Sequence, residues 1–171
     1  MLWRRSKAEE PGAENAEAQT LIGRLLLVVD GAEPSIAAAR FAVELSAQFG
    51  SRVTAVYVVD TATMDYLLQS RIFVSEERQE FERDLESTGQ RYLDFVTTLA
   101  SNRGITVETV LEKGSFSQTI LQAARSLQVD GIVLGGWRRS ITRKDAASVE
   151  RQLILDEADC PVIVVKGPTG R

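Results

Sequence analysis

The strongest constraint on the fold is Leu25-Leu-Leu-Val-Val29, a continuous apolar run that stops at Asp30-Gly31. A strand without polar alternation needs cover on both faces, which is the environment inside a parallel sheet. Parallel neighbours require a crossover, and the following residues supply one. Pro34-Ser-Ile-Ala-Ala-Ala opens a helix in which Ala38, Phe41, Ala42, Leu45 and Phe49 recur at spacings of three and four, and Gly50 ends it. Val53-Thr-Ala-Val-Tyr-Val-Val59 reads as a second strand, β-branched at most positions and again followed by an aspartate, Asp60. Residues 25–59 thus predict a strand-helix-strand unit.

The rest of the chain repeats the alternation. Residues 61–74 have no clean period and read as a connecting segment whose Leu67, Leu68 and Ile72 fold back on the core. Ser75 before Glu76 and Glu77 predicts a helix start, because a hydroxyl caps free amides and carboxylates favour the positive end of the helix dipole. This helix runs to about Asn102, with Phe81, Leu85, Tyr92, Val96 and Leu99 as its buried stripe and Glu80, Glu82, Arg83, Asp84 and Glu86 mainly in solvent. Gly104 ends it. Ile105-Thr-Val-Glu-Thr-Val-Leu111 alternates, as expected of a strand at a sheet edge, and Gly114 closes it. Ser117 is positioned to cap a helix with Ile120, Leu121, Ala124 and Leu127 inward, and Asp130 leads into Gly131-Ile-Val-Leu134. A last helix over about 147–157 carries Val149, Leu153 and Ile154 and precedes Pro161-Val-Ile-Val-Val165. The tally is five strands and four crossover helices, an α/β fold with one open, doubly wound parallel sheet.

At 171 residues and 44% hydrophobic content the chain suits one globular domain. Residues 1–20, with Pro11-Gly12 and no apolar period, read as a flexible leader. Residues 21–167 form the expected domain and 168–171 a short tail. A formal charge of -4 argues against nucleic acid as an obligatory partner. The single Cys160 excludes an internal disulfide and a multi-cysteine zinc site, and suits a reducing compartment. No apolar run approaches the roughly 20 residues of a membrane span and Met1-Leu-Trp-Arg-Arg lacks a signal segment, so the expected location is the cytoplasm. Histidine is absent, which removes serine-histidine-acid hydrolysis and histidine general-base chemistry.

One stretch has the character of an anion site. The fourth strand stops at Gly135-Gly136, and Trp137 is followed by Arg138, Arg139, Arg143 and Lys144 ahead of the last helix. Glycines at a strand exit, then cations, then a helix is the arrangement expected where an open α/β sheet holds an anion. The alternative is a simple turn followed by solvated arginines, with Trp137 packed over the loop. No GxxxxGK[ST] loop occurs, and Asp30-Gly-Ala-Glu-Pro34 is not a GxGxxG fingerprint. Asp30 has two readings, ligand contact or stabilisation of its own turn. Asp30 and Asp60 leave neighbouring strands, but two carboxylates without a third ligand are weak grounds for a metal, and none is expected. Cys160 reads as a small, partly buried side chain at a helix-to-strand junction.

Leu26-Leu-Val-Val-Asp-Gly31, Gly114-Ser-Phe-Ser117, Asp130-Gly-Ile-Val-Leu-Gly-Gly136 and Cys160-Pro-Val-Ile-Val-Val165, in this order and spacing, resemble the landmarks of the universal stress protein family over roughly residues 22–166. The resemblance implies strand order 3-2-1-4-5 with helices on both faces, and a crevice where the carboxyl ends of the first and fourth strands diverge, with Asp30 and Gly135 at it. In members that bind ATP, positions matching Asp30 and Val58 hold the adenine, and a Gly-x2-Gly-x9-Gly-Ser/Thr loop holds the phosphates. From Gly135, the second glycine position is Arg138 here; an ungapped count puts Ser148 and Val149 at the last two positions, whereas compensating indels put Ala147 and Ser148 there and keep Val149 on the core face. Bulk at 138 opposes a phosphate cradle, although Arg138, Arg139, Arg143 and Lys144 offer charge-assisted contacts in exchange. Three functions follow from the resemblance: a non-enzymatic stress-response module that binds adenine nucleotide weakly or not at all and acts by pairing with itself or with other proteins, an ATP- or AMP-binding switch, and a slow nucleotide hydrolase. A homodimer through Val162, Ile163, Val164 and Val165 is also expected, since pairing relieves an apolar edge strand.

Overall fold

A computed structural model describes residues 21–70, 75–137 and 146–167. The strands are β1 (Arg24–Val29), β2 (Arg52–Asp60), β3 (Val107–Gly114), β4 (Gly131–Gly135) and β5 (Val162–Val165), and the helices are α1 (Glu33–Phe49), α2 (Thr61–Gln69), α3 (Ser75–Ser101), α4 (Phe116–Ser126) and α5 (Ala146–Glu157). All pairings are parallel and the five strands lie in the order β3-β2-β1-β4-β5. The expected doubly wound α/β sheet is therefore present, with β1 central and β3 at an edge. Among the described residues no helix is long and apolar enough to cross a membrane.

Alternation along the strands divides the core into two layers. Leu25, Leu27 and Val29 of β1, with Val53, Ala55, Tyr57 and Val59 of β2, meet α1 and α3 on one face. Leu26 and Val28, with Val56, Val58, Ile132 and Leu134, meet Ile120, Ala124 and Ile154 of α4 and α5 on the other. This double cover is why β1 and β4 carry no polar side chain in their interiors.

Four expectations are corrected. The segment after β2 is not an irregular connection but α2, making five described helices rather than four. Asp60 nucleates it: one carboxylate oxygen accepts from the Thr63 amide at 3.1 Å and the other from the Thr63 hydroxyl at 2.7 Å. Buried Met64 anchors it, and Arg78 of α3 pairs with Asp65 at 2.8 Å. The buried face of α1 is made of Ser35, Ala38, Ala39, Ala42, Val43 and Ser46, whereas Phe41 is 39% and Phe49 57% exposed. Small residues let the helix lie close to the sheet, where a phenyl ring has no room. In α3 Val96 is buried and Leu85, Tyr92 and Leu99 pack on the core as expected, but Phe81 is exposed, and Gly89, Leu93 and Ala100 are buried in addition. Ser117 does not cap α4: Ser115 occupies the N-cap and Ser117 lies buried in the first turn.

Candidate functional site

The carboxyl ends of β1 and β2 open into a cavity of about 750 Å³, bounded by α2 and by the first turns of α4 and α5. Tyr57, Val58, Tyr66, Leu67, Leu85 and Phe116 give it apolar walls, and its charged groups are Asp30, Asp60, Glu150 and Arg151. Asp30 and Val58, assigned from the sequence, thus share one wall. Gly135, Ser148 and Val149 are not on it, and Arg138 lies outside the described residues, as do Arg139, Arg143 and Lys144.

The turn after β1 fixes Asp30. Gly31 adopts φ +80°, and a Cβ there would lie 2.9 Å from the Tyr92 hydroxyl oxygen and nearer still to the ring. The chain reverses, and the Asp30 Oδ1 accepts from the Ala32 amide at 2.9 Å. The local reading of this aspartate is therefore realised. Its other oxygen is also engaged: Arg151 Nη2 donates to Asp30 Oδ2 across 121 residues of sequence. The side chains of this pair are only 13% and 17% exposed. Arg151 Nη1 donates to the Ala147 carbonyl at 3.1 Å, and the guanidinium carbon stands 5.3 Å from the centroid of the Phe116 ring.

The neighbouring residue on α5 acts on the next element. Glu150 Oε2 accepts from the Ser117 amide at 2.8 Å, so a carboxylate of α5 satisfies the amino end of α4. The Ser115 side chain makes no cap of its own. The inward face of α5 accordingly begins with Ala147, Glu150 and Arg151 and reaches Ile154 one turn later, while Val149 is 41% exposed. The expectation that Val149 packs on the core is corrected.

Gly135 has a packing role. A Cβ on it would lie 2.6 Å from the Ser35 nitrogen and 2.7 Å from the Pro34 carbonyl carbon, both backbone atoms of α1. The glycine lets the start of α1 rest on the end of β4. Trp137 packs against the α4–α5 side of the core, and half-buried Cys160 packs there too. Burial pushes the Cys160 thiol up, with the Asp159 and Asp130 carboxylates adding to it. Burial likewise pushes the Tyr57 phenol up, helped by Asp30 and Tyr92. Among the described residues no cluster of three or more acidic, cysteine or histidine side chains is placed to hold a metal.

Sequence reasoning missed Glu150 and Arg151. The signal available was their spacing from Ile154, which puts all three on one face of α5.

Comparison with known proteins gives a consistent picture. A sequence model of the universal stress protein family matches residues 22–166. Universal stress protein MJ0531 of Methanocaldococcus jannaschii is 27% identical over 152 residues, covering 88% of this chain and 85% of that protein. The structure of hypothetical protein MJ0577 shares the fold with a TM-score of 0.68 at 16% identity, covering 88% of this chain and 99% of that one. The universal stress protein from Archaeoglobus fulgidus in complex with dAMP does so with a TM-score of 0.56 at 17% identity, covering 85% of this chain and 98% of that one.

Proposed function

This chain belongs to the universal stress protein family, and we propose that it is a dimeric, non-enzymatic regulatory module whose crevice takes adenine nucleotide weakly or not at all. The observation that carries the reading is the state of Asp30. In the family pattern this carboxylate faces adenine, yet here one oxygen holds the Ala32 amide and the other holds Arg151. A nucleotide that uses Asp30 has to displace a partly buried, charge-assisted bond, at a cost of roughly 1.5–3 kcal/mol. The crevice itself supports a nucleotide-class ligand, because Asp30 and Val58 share its wall and a relative of the same fold is a complex with dAMP.

The phosphate side adds to this. Arg138 stands where the family loop has its second glycine. A left-handed backbone at a non-glycine residue costs about 1–2 kcal/mol. Catalysis lacks support: the chain has no histidine, Asp60 holds α2, and Glu150 holds the Ser117 amide. Dimerisation through Val162–Val165 is supported by the position of β5 at a sheet edge and by the exposure of Val164.

Mass spectrometry of small molecules released from the denatured protein, followed by calorimetric titration with ATP, ADP and AMP, tests the reading. Millimolar or weaker affinity is expected. Sub-millimolar ATP binding that Asp30→Ala and Arg138→Glu both abolish would replace it with an ATP- or AMP-binding switch, and turnover on top of binding would make the protein a slow hydrolase. Light scattering is expected to give a dimer; a monomer at micromolar concentration removes the dimer from the proposal.

A further inference from the structure

We infer that Arg151 and Glu150 form an intramolecular latch that occupies the crevice in place of a nucleotide and sets its affinity. The inference rests on the crevice being the adenine-nucleotide site proposed above. Three contacts define the latch. Arg151 Nη2 donates to Asp30 Oδ2, the guanidinium lies against the Phe116 ring, and Glu150 accepts from the Ser117 amide at 2.8 Å. Together they imitate a ligand: a planar group on an aromatic ring that donates to Asp30, and an anion on the amino end of a helix. Both come from one turn of α5, so they arrive and leave together.

The latch is built to open. Arg151 Nε is buried without a hydrogen-bond partner among the described residues, so the guanidinium is held by two of its nitrogens with the third unsatisfied. A fully paired, equally buried arginine would be harder to displace. The Asp30 carboxylate, in contrast, is fixed by its own turn and stays in place when Arg151 leaves. The crevice then presents Asp30 to whichever donor arrives next.

With the latch closed, apparent affinity falls in proportion to the fraction of molecules in which it is open. Titration of AMP into the full chain and into Arg151→Met, which keeps an unbranched side chain but removes the guanidinium from Asp30 and from the Phe116 ring, reads this directly. The variant is expected to bind AMP about ten-fold tighter or more, and adding Asp30→Asn to it is expected to remove the gain. Arg151→Lys, which retains a cation without the guanidinium plane, is expected to gain about three-fold and provides the measurement if the methionine variant does not fold. Variants no tighter than the unmodified chain, with circular dichroism unchanged, overturn the latch. That failure is distinct from failure of the weak-binding reading, which is sub-millimolar ATP binding by the unmodified chain whatever the variants do.

Discussion

Replacing Gly89 with alanine sets two effects of opposite sign against each other. Gly89 lies inside α3, where glycine costs about 1 kcal/mol relative to alanine, so helix propensity alone predicts stabilisation. The packing predicts the reverse. A Cβ at 89 would lie 2.7 Å from Tyr57 Cε1 and 2.9 Å from Cγ, with Cδ1 nearer than either. Carbon atoms are comfortable at about 3.5–4.0 Å. Cγ is bonded directly to the Tyr57 Cβ, on a strand pinned by β1 and β3, so the ring base cannot swing aside without a change of rotamer. Overpacking of this kind costs about 1–3 kcal/mol, and with strand and helix both fixed the upper half applies. The net expectation is a loss of about 1–2 kcal/mol, from the propensity gain set against overpacking. Urea unfolding followed by circular dichroism measures it as a lower midpoint at unchanged slope. In a Tyr57→Ala background the ring is gone, and the same substitution is expected to gain about 1 kcal/mol instead. A midpoint at or above the parent, or one sign in both backgrounds, would refute the steric account.

Gly135→Ala places its new carbon against the backbone of Pro34 and Ser35, which has no side-chain torsion through which to yield. A loss of at least about 2 kcal/mol in thermal or urea unfolding is expected with no ligand present; an unchanged midpoint would return Gly135 to a purely ligand-facing role. Cys160, its thiol pushed up by burial, is expected to react with iodoacetamide at pH 8 more slowly in the folded protein than in urea, and equal rates would contradict its half-buried placement. Glu82 hydrogen-bonds Lys113 at 2.8 Å, which holds its carboxyl below an ordinary value of 4.5. Its contribution is therefore present above that value and lost as pH falls through the lowered one. Glu82→Gln is expected to flatten the acid side of the stability profile, and a profile of unchanged shape would count against the pairing.

The sheet was legible because its strands are short apolar runs with abrupt stops, and the resemblance supplied their order. Helix faces were less legible, since periodicity counts apolar residues without weighing their size. Phe41 and Phe49 share a helical phase with Ala38 and Ala42, yet both stay exposed, while mostly small residues fill the face on the sheet and Gly135 lets the amino end of α1 rest on β4. α2 was missed because its start signal is an aspartate that also ends a strand; Asp60 with Thr63, and Met64 with Leu67 and Leu68, carried the information in a span of nine residues. The position of Asp30 and Val58 on the crevice was legible through the family pattern. Glu150 and Arg151 were not, because adjacent charges on a helix read as a solvated face. Their partners, Ser117 and Asp30, lie 33 and 121 residues away in sequence.

The consequence for affinity follows from where the competing groups are anchored. A free nucleotide gives up translational and rotational freedom on entering the crevice, a cost of several kcal/mol, whereas Arg151 is already delivered there by α5. In effective-concentration terms the latch stands at millimolar or above toward Asp30. A closed latch therefore lowers the affinity of any ligand that needs Asp30 by a constant factor, which rising ligand concentration can still overcome. On the proposed reading, Asp30 need not be lost for nucleotide to bind weakly; an arginine one turn into α5 is enough. By the same argument, a partner that pulls the Glu150–Arg151 turn of α5 away from α4 is expected to remove the Glu150 contact with the Ser117 amide and the Arg151 contact with Asp30 in one movement, and to raise nucleotide affinity while Asp30 stays in place.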